Sequence, residues 1–349
     1  MFDQAGAPMR LYLPLLTHHD PEVRRQACLI LLGTYGERAV TALRRLLDDP
    51  DQQVRREARL GLLALVEVTD AGVRFRPPRG MYVACLGGLR VFVGNRELRP
   101  EDWAQTEGGR AGWQKVRAAF AYLVHSGRRG ASRPALGAAV WGGAVSASSL
   151  ARTLSALRHT LSAHYDGALM LDAEHCLLDP DSYHTDVQLF ERAFDMATRV
   201  EHDQDLAAAA PLYDQAIQLY AGPYMADLPR GSGWWRERRD HLMSSFVIAA
   251  ERAAEHAFTQ QQYQRCADVC ALALDADPSA DDVVAWQLMA YGQLGATAEL
   301  SHAYQAYLRA AGRDEQHEDP HDRATRTYRE LVASQESGAR SQEAGGRRL

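Results

Sequence analysis

Lysine is almost missing from this 349-residue sequence: Lys115 is the only one, and arginine supplies the other cationic positions. Cysteine is sparse as well. The five cysteines (28, 85, 176, 266 and 270) are scattered and odd in number, which excludes a disulfide framework and points to reduced thiols in a cytoplasm. No apolar run approaches the roughly 20 residues that span a bilayer, so no membrane partner is expected. The opening residues, MFDQAG, lack the basic and apolar regions of a signal peptide. No G-x-x-x-x-G-K-[ST] loop, G-x-S-x-G elbow or metal-ligand cluster occurs, and Gly87-Gly88 is too short for a nucleotide loop. An enzyme is therefore not expected, nor is a cofactor or a metal. Cys266 and Cys270 share a helical face at i, i+4 without further ligands nearby and read as buried packing. His18, His19, His159 and His164 also lack partners at ligand spacing and read as solvated or capping side chains.

The most telling absence is local. Net charge is -6 overall, yet residues 108–165 contain no Asp or Glu while Arg110, Lys115, Arg117, Arg128, Arg129, Arg133, Arg152 and Arg158 are basic. The pattern predicts three short helices here. The first covers 113–124, and a Gly-containing break follows at 125–130. The second covers 132–141, with Ser132 as N-cap and Pro134 in its first turn. The third covers 146–161. Leu150, Leu154, Leu157 and Leu161 fall on one face of this third helix. Ser148, Arg152, Ser155 and His159 fall on the other, and all can donate hydrogen bonds to phosphates or base edges. Arg158 lies on the flank, while Lys115 and Arg133 sit near the starts of the first two helices, where phosphate contacts are the expected role. An acid-free basic surface on three helices reads as a helix-turn-helix on DNA. The bland reading of the third helix, an ordinary solvated face, stays open on that helix alone.

The rest of the chain frames this segment. Residues 15–27 (LLTHHDPEVRRQA) align without gaps on 46–58 (LLDDPDQQVRREA), an offset of 31. The repeat resembles bacterial HEAT-like repeats, stacked pairs of antiparallel helices. Two repeats are few for a solenoid, so this arm is expected to lean on the next domain or on a protein partner. Residues 71–80, ending in RPPRG, read as a linker. Residues 82–98 read as strands with a turn at Gly94-Asn95, and 168–180 as a second hairpin turning near Ala173-Glu174. Strands, three helices and a closing hairpin make a winged helix of the response-regulator type. Its wing tip, with Glu174 and His175, is poorly suited to phosphate. From Asp186 the chain reads as helices at 187–198, 206–220, 234–259, 263–275, 281–294, 298–311 and 323–332, with a weak period of 34 resembling degenerate TPR repeats. Tyr224, Trp234 and Trp235 read as core anchors at a joint between helices. Residues 334–349 lack periodicity and are expected to be disordered.

Taken together, residues 80–333 resemble the antibiotic regulatory protein (SARP) type of transcriptional activator, in which a winged helix precedes a TPR-like bacterial transcriptional activator domain (BTAD). The matching pieces run in order: LGGLRVF at 86–92, the helix at 115–123, S-R-P-A-L-x4-W at 132–141, and L-x3-L-x2-L-R-x2-L at 150–161. Then come D-x3-F-E at 186–191, AIQLYAGPY at 216–224, W-x3-R-x2-L at 235–242, and Asp277-Pro278. The resemblance implies a non-enzymatic activator that binds double-stranded promoter DNA through the winged helix. It further implies that the helical domain serves a homodimer, RNA polymerase contacts or regulation. The chain departs from the family by its HEAT-like arm, and by Ala151 and Ala156 in the third helix, where relatives often carry bulkier polar or basic residues. The expected fold is mostly α: HEAT-like repeats over 1–70, a linker over 71–80, a winged helix-turn-helix (α+β) over 81–186, a TPR-like domain over 187–333 and a tail over 334–349. A protein-interaction scaffold with a degenerate winged helix that no longer binds DNA is the alternative function.

Overall fold

The computed structural model describes residues 9–35, 39–63, 66–69, 72–75, 80–93, 96–103, 110–163, 165, 167–180, 182–228, 233–314 and 316–346. The turn expected at Gly94-Asn95, residues 76–79 of the expected linker, His164 and the first residues of the acid-free stretch lie outside this set, as do the side chain of Arg110 and those of residues 335–346. The chain forms two compact units. One comprises residues 1–192 and 218–240, the other 193–217 and 241–349.

In the first unit the repeat takes shape as 3-10 turns at Met9–Leu11 and Leu13–Thr17, helix α1 (Pro21–Tyr35), the short α2 (Val40–Leu43), a 3-10 turn at Arg44–Asp48, and α3 (Gln52–Leu63). The two halves start alike. Asp20 Oδ1 accepts from Glu22 N (2.9 Å), and Asp51 Oδ1 accepts from Gln53 N (2.9 Å) and Val54 N (3.1 Å), so an acidic cap opens α1 and α3. Of the repeated arginines, the first ties the halves together and the second braces its own turn. Arg24 donates to both Asp49 oxygens (2.7 and 2.8 Å) and to His18 O, and its equivalent Arg55 donates to the Pro50 carbonyl. The apolar positions Leu16, Leu31, Leu43, Leu46, Val54 and Ala58 close one core. The leading helix of each pair is replaced largely by 3-10 turns; Pro14, in the turn at Leu13–Thr17, lacks an N–H that a longer helix running through it would use.

Residues read as the end of the arm and the start of the linker instead pair as a hairpin, β1 (Val66–Thr69) with β2 (Gly72–Phe75). Both strands carry β-branched residues, which favours local pairing.

Next, β3 (Met81–Ala84), wholly buried, pairs antiparallel with β4 (Arg90–Val93), which pairs with β5 (Arg96–Glu97). The helices α4 (Arg110–Ser126), α5 (Arg133–Trp141) and α6 (Ala147–Ser162) follow. A second sheet takes β6 (Ala131–Ser132), β8 (His175–Leu178) and β7 (Leu169–Leu171), in that order. Besides the β1–β2 hairpin, two strands escaped the sequence reading: β6, at the break before α5, and β9 (Tyr183–Thr185), which returns parallel to β3 and completes the first sheet. It ends on Asp186, whose buried carboxylate accepts from Cys85 N (2.8 Å), Leu86 N (2.8 Å) and Val187 N (2.8 Å). That one side chain stops β3 and starts α7 (Asp186–Asp203). Residues 218–240 fold with this unit: Met225 N donates to Cys85 O (2.6 Å) and Gly87 N to Pro223 O (3.1 Å). A Cβ on Gly87 would stand 2.7 Å from Ala221 O. Tyr224 and Trp235 are buried, as expected for core anchors. Half-buried Trp234 lies 4.7 Å from the His125 ring at the end of α4.

The second unit contains the latter part of α7, most of α8 (Leu206–Leu219), α9 (Arg236–Thr259) from residue 241 on, α10 (Tyr263–Ala276), α11 (Asp281–Leu294), α12 (Thr297–Ala310) and α13 (Arg323–Gly346). Tyr213 Oη donates to Glu201 (2.7 Å), and Arg252 pairs with the same carboxylate, joining α7, α8 and α9. Val284, Leu288, Leu300, Tyr304, Leu308 and Ala324 form the core of the last helices. Asp281 accepts from Arg323 N and Ala324 N (both 2.8 Å), capping α13. The helix runs to Gly346, through residues read as a disordered tail. Those residues are free of Pro but hold as many Ser and Gly as Ala, Gln and Glu, so their own helix propensity is weak. Cys266 and Cys270 are buried. Among the described residues no His/Cys/Asp/Glu group is placed to hold a metal ion, and no helix is long and apolar enough to cross a membrane.

Candidate nucleic-acid interface

The helix-turn-helix is α5, the turn at 142–146 and α6. Each helix has its own start and stop signals. Ser132 Oγ accepts from Ala135 N (3.2 Å), with Pro134 in the first turn. Gly142, with φ +76°, closes α5 by donating to Ala138 O (2.8 Å). Ser146 Oγ then accepts from Ser149 N (3.2 Å) and opens α6. Within α5, a Cβ on Gly137 would stand 2.6 Å from Val145 Cγ1, so glycine sets how closely the turn approaches the helix.

Helix α6 divides as its sequence predicts. Leu150, Thr153, Leu154, Leu157, Thr160 and Leu161 are buried. Ser148, Arg152, Ser155, Arg158 and His159 are exposed. Arg152 Nε leans on Ser148 O (3.4 Å), which holds the guanidinium along the exposed face. The first turn carries no acid, so the positive end of the helix dipole is uncompensated there.

The remaining cations separate into two groups. Lys115 Nζ lies 4.6 Å over the Trp141 ring, half-buried, and burial lowers its pKa. Arg133 donates through Nε and Nη2 to Asp172 O (3.2 and 2.9 Å), tying α5 to the wing. Arg117 pairs with Asp227 and donates to Leu89 O. By contrast Arg128 and Arg129, in the 3-10 turn Gly127–Arg129 that leads into β6, are exposed. Sequence reasoning counted these two as basic but did not place them in the site. Their position in a break between helices, where side chains face solvent, is the signal that could have done so. The wing itself is β7–β8. Asp172 Oδ1 caps its tip by accepting from Glu174 N (2.8 Å) and His175 N (2.6 Å), and Asp172, Glu174 and His175 are exposed. The tip thus carries two carboxylates.

Comparison with known proteins bears on this arrangement. Residues 185–332 match the family model for the bacterial transcriptional activator domain, and residues 9–63 match the model for HEAT repeats. No curated protein matches the sequence. A solved structure of Mycobacterium tuberculosis EmbR, in complex with a low-affinity phosphopeptide, is similar in fold with a TM-score of 0.57 and 18% identity, over 76% of this chain and 69% of that one. A matched bacterial transcriptional activator domain thus follows the winged helix, which is the domain order of the SARP-type activators that this chain resembles, and matched HEAT repeats stand ahead of both.

Proposed function

We propose that this protein activates transcription, without catalysis, by laying α6 in the major groove of double-stranded promoter DNA. The observation that carries the reading is the exposed face of α6: Ser148, Arg152, Ser155 and His159 are all hydrogen-bonding, none is acidic, and the leucine face beneath fixes which way they point. Arg152 is the base reader, since arginine pairs bidentately with guanine O6 and N7. Arg158, with Arg128 and Arg129, supplies phosphate contacts. Arg133 and Lys115 are phosphate contacts of a second rank, because each already has an intramolecular partner. The carboxylates at the wing tip leave the wing little share in affinity. The helical array serves a homodimer or RNA polymerase, the HEAT-like arm takes a protein partner, and the site of action is the cytoplasm; family resemblance and the reduced cysteines support these assignments.

The test is recovery of genomic DNA bound to the full-length protein, followed by titration on the enriched duplex and a scrambled one at several salt concentrations. An enriched motif and affinity that falls linearly with log salt are expected. Absence of any salt-dependent binding would falsify the reading and leave a protein-interaction scaffold in its place.

A further inference from the structure

In the second unit α11 forms a floor on which both α10 and α12 pack, and between those two walls runs an open groove of about 540 Å³. Its floor is mostly apolar, with Val284 and Tyr291 on either side of the buried amide of Gln287. Leu274 lines it from α10, and Ala303 and Ala306 from α12, where small side chains leave the room. Such a volume takes a few side chains of a docked segment. The two walls carry one charge each at the rim, Asp275 on α10 and Glu299 on α12, both exposed. No Arg or Lys lines the groove, and His302 is the other titratable group on its rim besides tyrosine. Neither carboxylate has an ion-pair partner among the described residues. Glu299 also raises the Tyr291 hydroxyl pKa, after burial and the Asp268 and Cys270 charges, so its field reaches the floor.

The geometry points to a docking groove for an apolar segment of a protein partner that carries arginine or lysine beside its apolar anchors. An apolar floor rewards two side chains one helical turn apart, which is how a helix fills a groove. Carboxylates on facing walls attract a cation placed over the anchors and repel a polyanion, so this groove disfavours DNA and acidic peptides alike. The groove lies in a different unit from α6, and the inference stands whether or not the DNA reading does.

The test uses the full chain and fluorescein-labelled peptides of about 14 residues, read by anisotropy. One peptide has two leucines at i, i+4 flanked by arginines; its counterpart has glutamates in place of the arginines. Saturable binding of the arginine peptide, weakened by salt, is expected, with the glutamate peptide at least about tenfold weaker. Combining Asp275→Lys with Glu299→Lys should reverse that preference. Ala303→Trp should abolish binding of both by filling the groove; the two exposed lysine substitutions keep the test sound if that variant fails to fold. DNA titration of the lysine variant is run in parallel and should match the unmodified chain, so failure here and failure of the DNA reading are told apart. Lack of saturable binding by the arginine peptide, or equal binding in the lysine variant, overturns the proposal.

Discussion

Arg152 and Arg158 are both exposed on α6 but stand six residues apart, one on the outward face and one on its flank, and their loss should read out differently. A base-reading arginine contributes about 1–3 kcal/mol of discrimination between bases. Arg152→Ala should therefore narrow the gap between cognate and scrambled duplexes. A phosphate contact carries no sequence information, so Arg158→Ala should weaken both duplexes alike and reduce the salt slope by about one unit. If Arg152→Ala leaves selectivity intact in a folded protein, the orientation assigned to α6 is wrong. Asp186 poses a different residue-scale question. Burial pushes its carboxyl up to about 7, against the backbone N–H groups of Leu86, Cys85 and Val187, which favour the ionised form. The folded state then holds a proton between about pH 4 and 7 that the unfolded chain has released. The contribution of this group to stability falls as pH rises through that window, by up to about 1.4 kcal/mol per pH unit. Urea melts of the wild type and of Asp186→Asn, which does not titrate, should show a difference that shifts against the wild type from pH 5 to 7; a constant difference would contradict this.

At the scale of elements, what was legible in the sequence follows from periodicity. The leucine spacing of α6 and the serine caps at 132 and 146 gave α5 and α6 to within a residue or two of their ends. Those signals are local: cap, propensity and face lie within a turn of one another. The parallel strand β9 was missed because three residues, Tyr183–Thr185, carry no period of their own; they are a strand only because β3, about a hundred residues earlier, presents an open edge. The partners of Lys115 and Arg133 were hidden for the same reason, as Trp141 and Asp172 are distant in sequence. Trp235 shows the converse, a long-range role that composition did reveal. It is 8% exposed, and Arg239 stacks 3.8 Å over its ring while donating to Tyr224 O. Trp235→Ala removes the ring from this joint and should cost roughly 3–5 kcal/mol. A thermal melt of the full chain checks it; an unchanged midpoint would mean the joint is held by Tyr224 and Arg239 alone.

For the whole molecule, the question is whether the HEAT-like arm is an independent body. It has its own core, built around Leu16, Leu31, Leu43 and Leu46, and a buried Arg24–Asp49 pair. Two repeats nevertheless bury little apolar surface for the backbone they order, and solenoids draw stability from neighbours on both sides. Here the neighbour is the winged helix. Glu57 on α3 pairs with Arg90 on β4 at 3.2 Å, and Arg90 is also held by Glu97 and lies 5.1 Å from the centre of the Phe92 ring. Removing Arg90 takes away the cation that Glu57 and Glu97 share across the joint and leaves Glu57 only Arg25 of its own arm, at 3.8 Å. A fragment of residues 1–70 is therefore expected to melt without cooperativity, because it retains its own core but loses the surface it leans on. Arg90→Ala in the full chain should loosen the arm while leaving the winged helix folded. Hydrogen exchange reads both at once: amides of α1 and α3 should lose protection in the variant, while those of α4 and α6 keep theirs. A cooperative melt of the isolated fragment, or unchanged protection of α3 in the variant, would show instead that the arm folds by itself and only happens to touch β4.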